Sequence, residues 1–284
     1  MTRISPRHPR YRSLLRRAGL AEAARRGLVV PEGLIAHGRG EAFDYFLGER
    51  TVPSARAAER TAARWLAAAR RPVVSVNGNV AALAAPEIAA LARARPGIGV
   101  EVNLFHRTPA RARAVAGALR AAGVPRILGV RPTVRLPGLP SDRARVDRRG
   151  LWIADVCLVP LEDGDRAEAL RRLGKRVISI DLNPLSRTSR AADLPIVDEL
   201  ARALGNIADD LGALPSGSGR GFPDFDAVRA LTRAREAMIR GLRGSSPRPT
   251  TRRRRRASRP PVRGTHRPRR RARPPRSRGP APPR

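Results

Sequence analysis

The chain has 284 residues, 41% of them hydrophobic, enough for one large domain or two small ones built around a real core. Lysine and arginine together number 58 against 24 acidic residues, a formal net charge of +34, which taken alone points to a phosphate-bearing partner. One cysteine excludes an internal disulfide framework and a cysteine-rich zinc site, and the lack of any apolar run near 18 residues excludes a membrane span or secretory leader, so a cytoplasmic protein is expected.

The charge is unevenly spread. Lys175 is the single lysine, and with abundant Ala, Gly and Pro this bias is that of a GC-rich coding sequence. Sixteen arginines and ten prolines, but no carboxylate, fall in residues 244–284. Such a composition cannot bury a core, so this tail is expected to be disordered. A shifted reading frame of GC-rich DNA would give the same composition. As a real extension, the tail would bind nucleic acid or anionic surfaces only non-specifically, through counterion release.

Apolar and basic positions alternate at helical spacing over Tyr11–Gly27 and over Ser54–Arg70, giving two helices that flank a loop-rich segment, "VVPEGLIAHGRGEAFDYFLGER". From Pro72 the texture changes. Short β-branched runs, "PVVSV", "IGVEV", "RILGV", "ADVCLVP" and "RVISI", alternate with helical stretches such as "VAALAAPEIAALARARPG", "ARARAVAGALRAAG" and "DRAEALRRLG". That alternation predicts βαβ units: an α/β fold with a Rossmann-like, mostly parallel sheet flanked by helices. A further run, "LPIVDEL", leads into a helix reaching about Asp210. After a flexible connector, "GALPSGSGRGFPD", a last helix covers "FDAVRALTRAREAMIRGL". One domain is expected over 1–243, with a helical part over 1–70, the sheet over 71–212 and the final helix over 224–243.

Neither a P-loop nor a GxGxxG motif is present, and "HGRGEAF" follows no strand. Polar clusters stand instead at four successive strand ends: "NGN", "EVN" with "HRT", "LEDGD" and "DLNPLSRT". Ligands of parallel sheets bind there. In "DLNPLSRT", Asp181 is placed to accept hydrogen bonds from a ribose, Asn183 offers donor and acceptor, and Arg187 with Thr188 suits a phosphate. An Asx turn at Asn183 and Pro184 with a solvated Arg187 is the alternative. In "EDGDR", Glu162 and Asp163 are candidate ligands for Mg²⁺ bridging to phosphates, while Asp165 caps a helix starting at Arg166. His37 and His106 have no partner at metal-ligand spacing, and Cys157, inside "VCLV", reads as a buried thiol.

Together and in this order, "HPRY", "GLIAHGRGEAFDYFLGE", "PVVSVNGNVAAL", "EVNLFHRT", "VPLEDGDRAEAL" and "VISIDLNPLSRT" closely resemble the archaeal 4-phosphopantoate–beta-alanine ligase family, the phosphopantothenate synthetases, over residues 7–212. The resemblance implies a homodimeric, Rossmann-like enzyme of coenzyme A synthesis. It would join 4-phosphopantoate to beta-alanine with ATP and Mg²⁺, releasing AMP and diphosphate through a phosphopantoyl adenylate. ATP contacts carry over to Arg17, Arg39, Asp181, Leu182, Asn183, Arg187, Thr188, Asp198, Glu199 and Leu200, although "VDEL" stands where a "VDN"-type sequence is expected. Arg17, Arg39 and Arg187 would offset repulsion between the reacting anions. Glu101, Glu162 and Asp163 are candidate proton acceptors for the amine, with Arg39, Glu162 and Asp163 as the catalytic set. Asn77, Asn79, Asn103, His106 and Arg107 are candidate donors to the substrate phosphate. Two other readings remain: a nucleic-acid binder relying on the tail, and a nucleotide-dependent kinase of a small acid.

Overall fold

Among the described residues there are eight strands: six form where the β-branched runs predict them, and two make a small hairpin that has no such signal. They are β1 (Pro72–Val76), β2 (Gly99–Val102), β3 (Ile127–Leu128), β4 (Val134–Arg135), β5 (Arg145–Val146), β6 (Val156–Pro160), β7 (Arg176–Ile180) and β8 (Leu194–Ile196). A computed structural model describes residues 4–8, 10–215 and 221–244. Six strands make a parallel sheet in the order β3-β2-β1-β6-β7-β8, and β4 pairs antiparallel with β5. The order reverses between β1 and β6, which opens a crevice at the carboxyl ends of these strands.

Nine helices accompany the sheet among the described residues: α1 (Tyr11–Arg25), α2 (Pro31–Leu47), α3 (Pro53–Ala68), α4 (Gly78–Ala94), α5 (Pro109–Ala121), α6 (Gly164–Arg172), α7 (Arg187–Ala191), α8 (Leu200–Ala213) and α9 (Ala227–Gly244). Side-chain alternation divides the sheet between two cores. Val74, Val76, Leu158, Ile178 and Ile180 pack against α3, α4, α5 and α8. Val73, Cys157, Val159 and Val177 pack against α6 and the crossover between β3 and β6. A third cluster, including Leu47, Val52, Leu182, Val197 and Met238, binds α2 and α9 to the end of the sheet that carries the crevice. Cys157 is fully buried, and burial pushes its thiol up to about 12.

Two expectations need correction. The segment read as loop-rich is mostly α2. Its glycines at 33, 38 and 40 lower helix propensity, but Pro31 at the first turn, Gly48 in the left-handed conformation (φ 74°) at the C-cap and an Asp44–Arg202 ion pair at 2.6 Å hold it helical. Tertiary contacts override the local signal. The second concerns α6, which begins at Gly164 with Asp163 at its N-cap, so Asp165 lies in the first turn instead of capping. The connector falls partly, and the arginine- and proline-rich tail almost wholly, outside the described residues. No described helix is long and apolar enough to cross a membrane.

Glu59, on α3, is fully buried against α8. Its Oε2 accepts from Asn206 at 2.8 Å, while Oε1 is buried with no partner able to donate to it. It faces Asp198, whose own oxygens accept from Thr51 at 2.5 Å and Arg202 at 2.6 Å. Burial, and then the charge of Asp198, raise the Glu59 carboxyl to about 9, so the protonated form donates to Asp198 at neutral pH. Because the native value lies above the unfolded one, this group's stabilisation is complete below about pH 4.5 and is lost as pH rises towards 9. Glu59→Gln mimics the protonated acid. In urea titrations its stability relative to wild type should rise between pH 5 and 9, by at most about 1.4 kcal/mol per pH unit. A pH-independent difference would contradict a buried proton at Glu59.

Candidate active site

The carboxyl ends of β1, β2, β6, β7 and β8 line one cleft of about 430 Å³, roofed by α2. Each loop contributes in strand order: Phe105 and His106 after β2, Asn77 and Asn79 after β1, Glu162 and Asp163 after β6, Asp181, Leu182 and Asn183 after β7, and Glu199 and Leu200 after β8. At roughly 4.8 Å per strand these loops span about 19 Å, room for a nucleotide beside a small acid. Arg39 faces them from α2 and makes no hydrogen bond or ion pair among the described residues, though its charge acts on the Asp181 carboxyl. The arginine and the 181–183 turn thus share one cleft.

Local sequence fixes the loops. Asn77 caps α4 by accepting from Val80 N at 3.0 Å and donates its amide to the Leu161 carbonyl at 2.9 Å, joining the β1 and β6 loops. Leu161 has φ 49°, an uncommon left-handed conformation for a branched residue, which turns the chain sharply before Glu162. Asn79 donates to the Gly33 carbonyl at 2.7 Å and so ties the roof to the floor. Asp181 caps its own turn by accepting from Asn183 N at 2.9 Å, and burial raises its carboxyl.

The β6 loop is the electrostatic centre. Glu162 is buried and forms ion pairs with Arg143 and, at 2.7 Å, with the fully buried Arg166. Asp163 is half-exposed and lies 3.3 Å from Arg143 Nε. Burial lowers both guanidinium groups to about 10, which leaves them charged at neutral pH. His37 also lines the cleft; burial lowers its imidazole, and Nε2 has no partner.

The remaining predicted residues sit outside the cleft lining. Arg17 is paired with Glu41 at 2.8 Å. Arg187 turns out to Glu168 at 3.2 Å, and Thr188 is buried, donating to the Glu162 carbonyl at 2.5 Å. Asp198 is buried against Arg202. Asn103 is buried, donating to the carbonyls of Arg143 (3.2 Å) and Arg145 (3.1 Å) and accepting from Arg166 at 2.6 Å. Arg107 donates to the carbonyls of Gly129 and Val130 and lines a separate groove. Glu101, raised to about 7 by burial, accepts from Leu151 N at 2.7 Å and Asp147 N at 3.0 Å, away from the cleft. Arg111 and Arg143 line the cleft without having been singled out in the sequence.

The donor set also bears on Mg²⁺. Both Glu162 oxygens are engaged by guanidinium groups, which does not suit a metal ligand, whereas Asp163 keeps a half-exposed carboxylate. Among the described residues no group of three or more His, Cys, Asp or Glu side chains could hold a metal by itself. The arrangement suits an ion brought in by nucleotide phosphates and met by one carboxylate.

Residues 54–240 match the family model described as phosphopantothenate/pantothenate synthetase. The chain belongs to that family. It is 56% identical over 230 residues to the 4-phosphopantoate–beta-alanine ligase of Methanospirillum hungatei, covering 81% of this chain and 90% of the relative. Proteins of the same name from Thermococcus onnurineus and Methanosarcina mazei are 54% and 53% identical, covering 72% and 73% of this chain and 78% and 81% of theirs. In this synthetase Asn77 holds the β1 and β6 loops together. Asn77→Ala removes both the cap and the tether and should cost about 1–3 kcal/mol in chemical denaturation. Asn77→Asp keeps the acceptor for Val80 N but loses the donor to Leu161, and should cost less; equal costs would show that the cap on Val80 N contributes nothing.

Proposed function

We propose that the chain is an ATP-dependent, AMP-forming ligase that condenses 4-phosphopantoate with beta-alanine to give 4′-phosphopantothenate in coenzyme A biosynthesis. The observation that carries this reading is the convergence of Arg39, the Asp181–Asn183 turn and the Glu162–Asp163 loop on one cleft, in a chain so similar to ligases of that name. The nucleotide lies over β7 and β8, with Asp181 accepting from ribose hydroxyls and Arg39 on the phosphates. The acid lies over β1 and β2. Its carboxylate attacks the α-phosphorus of ATP, a P–O bond forms, and diphosphate leaves with the charge that Arg39 offsets. A bound Mg²⁺, held through the phosphates and Asp163, would neutralise part of the triphosphate charge.

Beta-alanine then attacks the adenylate. Of the three carboxylates considered as proton acceptors, only Asp163 is both unburied and in the cleft, so it orients the ammonium group and takes its proton. The amine adds to the acyl carbon, the C–O bond to AMP breaks, and AMP departs. Glu162 acts as a positioning residue through Arg143 and Arg166. Arg17, Arg187, Thr188 and Asp198 act from behind the cleft: Arg17 orients Glu41, and the other three brace the β6–α6 and β8–α8 loops. A cytoplasmic homodimer is part of this reading.

ATP–diphosphate exchange measures the first half-reaction. Exchange should require 4-phosphopantoate and proceed without beta-alanine, with AMP appearing when beta-alanine is added. Formation of ADP would instead favour the kinase. Arg39→Ala should raise the KM for ATP by about 10- to 100-fold, as expected for loss of a charge-assisted contact.

A further inference from the structure

We propose that Glu59 is a positioning residue for nucleotide binding: it holds Asp198, and through Asp198 and Arg202 it fixes both the β8–α8 loop and the roof helix α2 at one end of the cleft. The inference rests on the ligase reading above and adds to it a residue, remote from the substrates, that shapes the nucleotide end.

Glu59 does not line the cleft, and its influence runs through a chain of buried contacts. Asp198 is 1% exposed and has donors on both oxygens. Its Oδ1 accepts from Glu199 N at 2.8 Å and from Arg202 Nη2 at 2.6 Å, its Oδ2 accepts from Thr51 at 2.5 Å, and the carboxylate also meets Glu59. Arg202 passes the constraint on, because its Nη1 and Nη2 donate to the two oxygens of Asp44 at 3.0 and 2.6 Å. Asp44 belongs to α2, and Asp44, Glu199 and Leu200 all line the cleft. Roof and floor of the nucleotide end are therefore joined through Asp198.

The charges along this chain explain why Glu59 matters. Glu59, Asp198 and Asp44 are all buried, and Arg202 pairs with the last two. Arg56 lies 3.7 Å from Glu59 Oε2 but is held more closely by Asp210, at 2.6 Å. From α8, Asn206 donates to Oε2 at 2.8 Å, while Oε1 is buried with nothing donating to it. Burial and the Asp198 charge raise the carboxyl to about 9, so at neutral pH Glu59 gives its proton to the contact with Asp198. Ionised, it would set a second buried charge against Asp198 that no nearby cation is free to balance. Withdrawal of Asp198 relieves that repulsion, and it carries the Glu199–Leu200 loop and the Arg202–Asp44 pair away from the nucleotide.

The test follows AMP formation and calorimetric ATP binding for the full-length chain, Glu59→Gln and Glu59→Leu, at about pH 7 and about pH 9.5. Glu59→Leu fills the space of the side chain but gives Asp198 no donor. At the lower pH it should raise the Kd and KM for ATP by about 10-fold, with kcat and the KM for 4-phosphopantoate within about twofold of wild type. Glu59→Gln keeps a donor for Asp198 and an acceptor for Asn206, and should rescue ATP binding to within about twofold of wild type. On going to the higher pH the wild-type Kd for ATP should rise reversibly by about 3- to 10-fold, while that of Glu59→Gln stays level. Equal rises in KM for both substrates in Glu59→Leu would make Glu59 merely a part of the fold. An alkaline loss of ATP affinity that Glu59→Gln shares, or that wild type lacks, overturns the proposal as well. Should Glu59→Leu not fold, the pH profiles of wild type and Glu59→Gln decide. A wild-type chain that forms no AMP counts against the ligase reading instead, and the calorimetric comparison still decides the role of Glu59.

Discussion

Arg166 has no solvent contact, and the rest of the crevice is arranged around its burial. A guanidinium removed from water costs several kcal/mol unless an anion and hydrogen-bond acceptors are brought to it. Here Glu162 supplies the charge at 2.7 Å, Asn103 an amide oxygen at 2.6 Å and Ser75 a hydroxyl at 3.2 Å. Those partners come from the β6 loop, the end of β2 and the middle of β1. One cation thereby fixes three adjacent strands relative to α6. Thr188 extends the bracing by donating to the Glu162 carbonyl, which locks α7 to the same loop.

The cleft inherits an electrostatic division from this arrangement. Towards β7 and β8 it presents Asp181, an acceptor suited to hydroxyls, with Arg39, unpaired among the described residues, above it and Glu199 paired with Arg16 at 2.9 Å beside it. Towards β1 and β2 it presents Arg111 and Arg143. Between the two lies Asp163, with an arginine on one side and open cleft on the other. A reaction between two anions and an ammonium group requires cations at both ends and a carboxylate in the middle, and the strand order delivers that pattern without a glycine-rich phosphate loop.

The sheet was legible because fully buried parallel strands need continuous runs of Val, Ile and Leu, and "VVSV", "VCLV" and "VISI" have no other use. The cleft was legible wherever a polar cluster followed such a run directly, as at Asn77, Glu162 and Asp181. Three features escaped for physical reasons. The α2 helix is held by Asp44 pairing with Arg202, a contact 158 residues away in sequence that no local pattern encodes. Arg187 and Thr188 have the right chemistry for phosphate, but Ser186 caps a short helix there by accepting from Ser189 N at 3.0 Å, which directs one side chain outward and buries the other. Arg143 lies in a crossover without periodicity, among so many arginines that composition could not distinguish it.

The state of Cys157 has a practical side. As the only thiol in the chain, fully buried on strand β6 and harder to ionise for that burial, it is expected to react slowly with alkylating reagents and not to pair with a second molecule. The native sequence is thus already a silent background for site-specific labelling. A cysteine introduced on the solvent side of α2 would carry a fluorophore or spin probe alone, and would report directly on how the roof of the crevice settles when its ligands arrive.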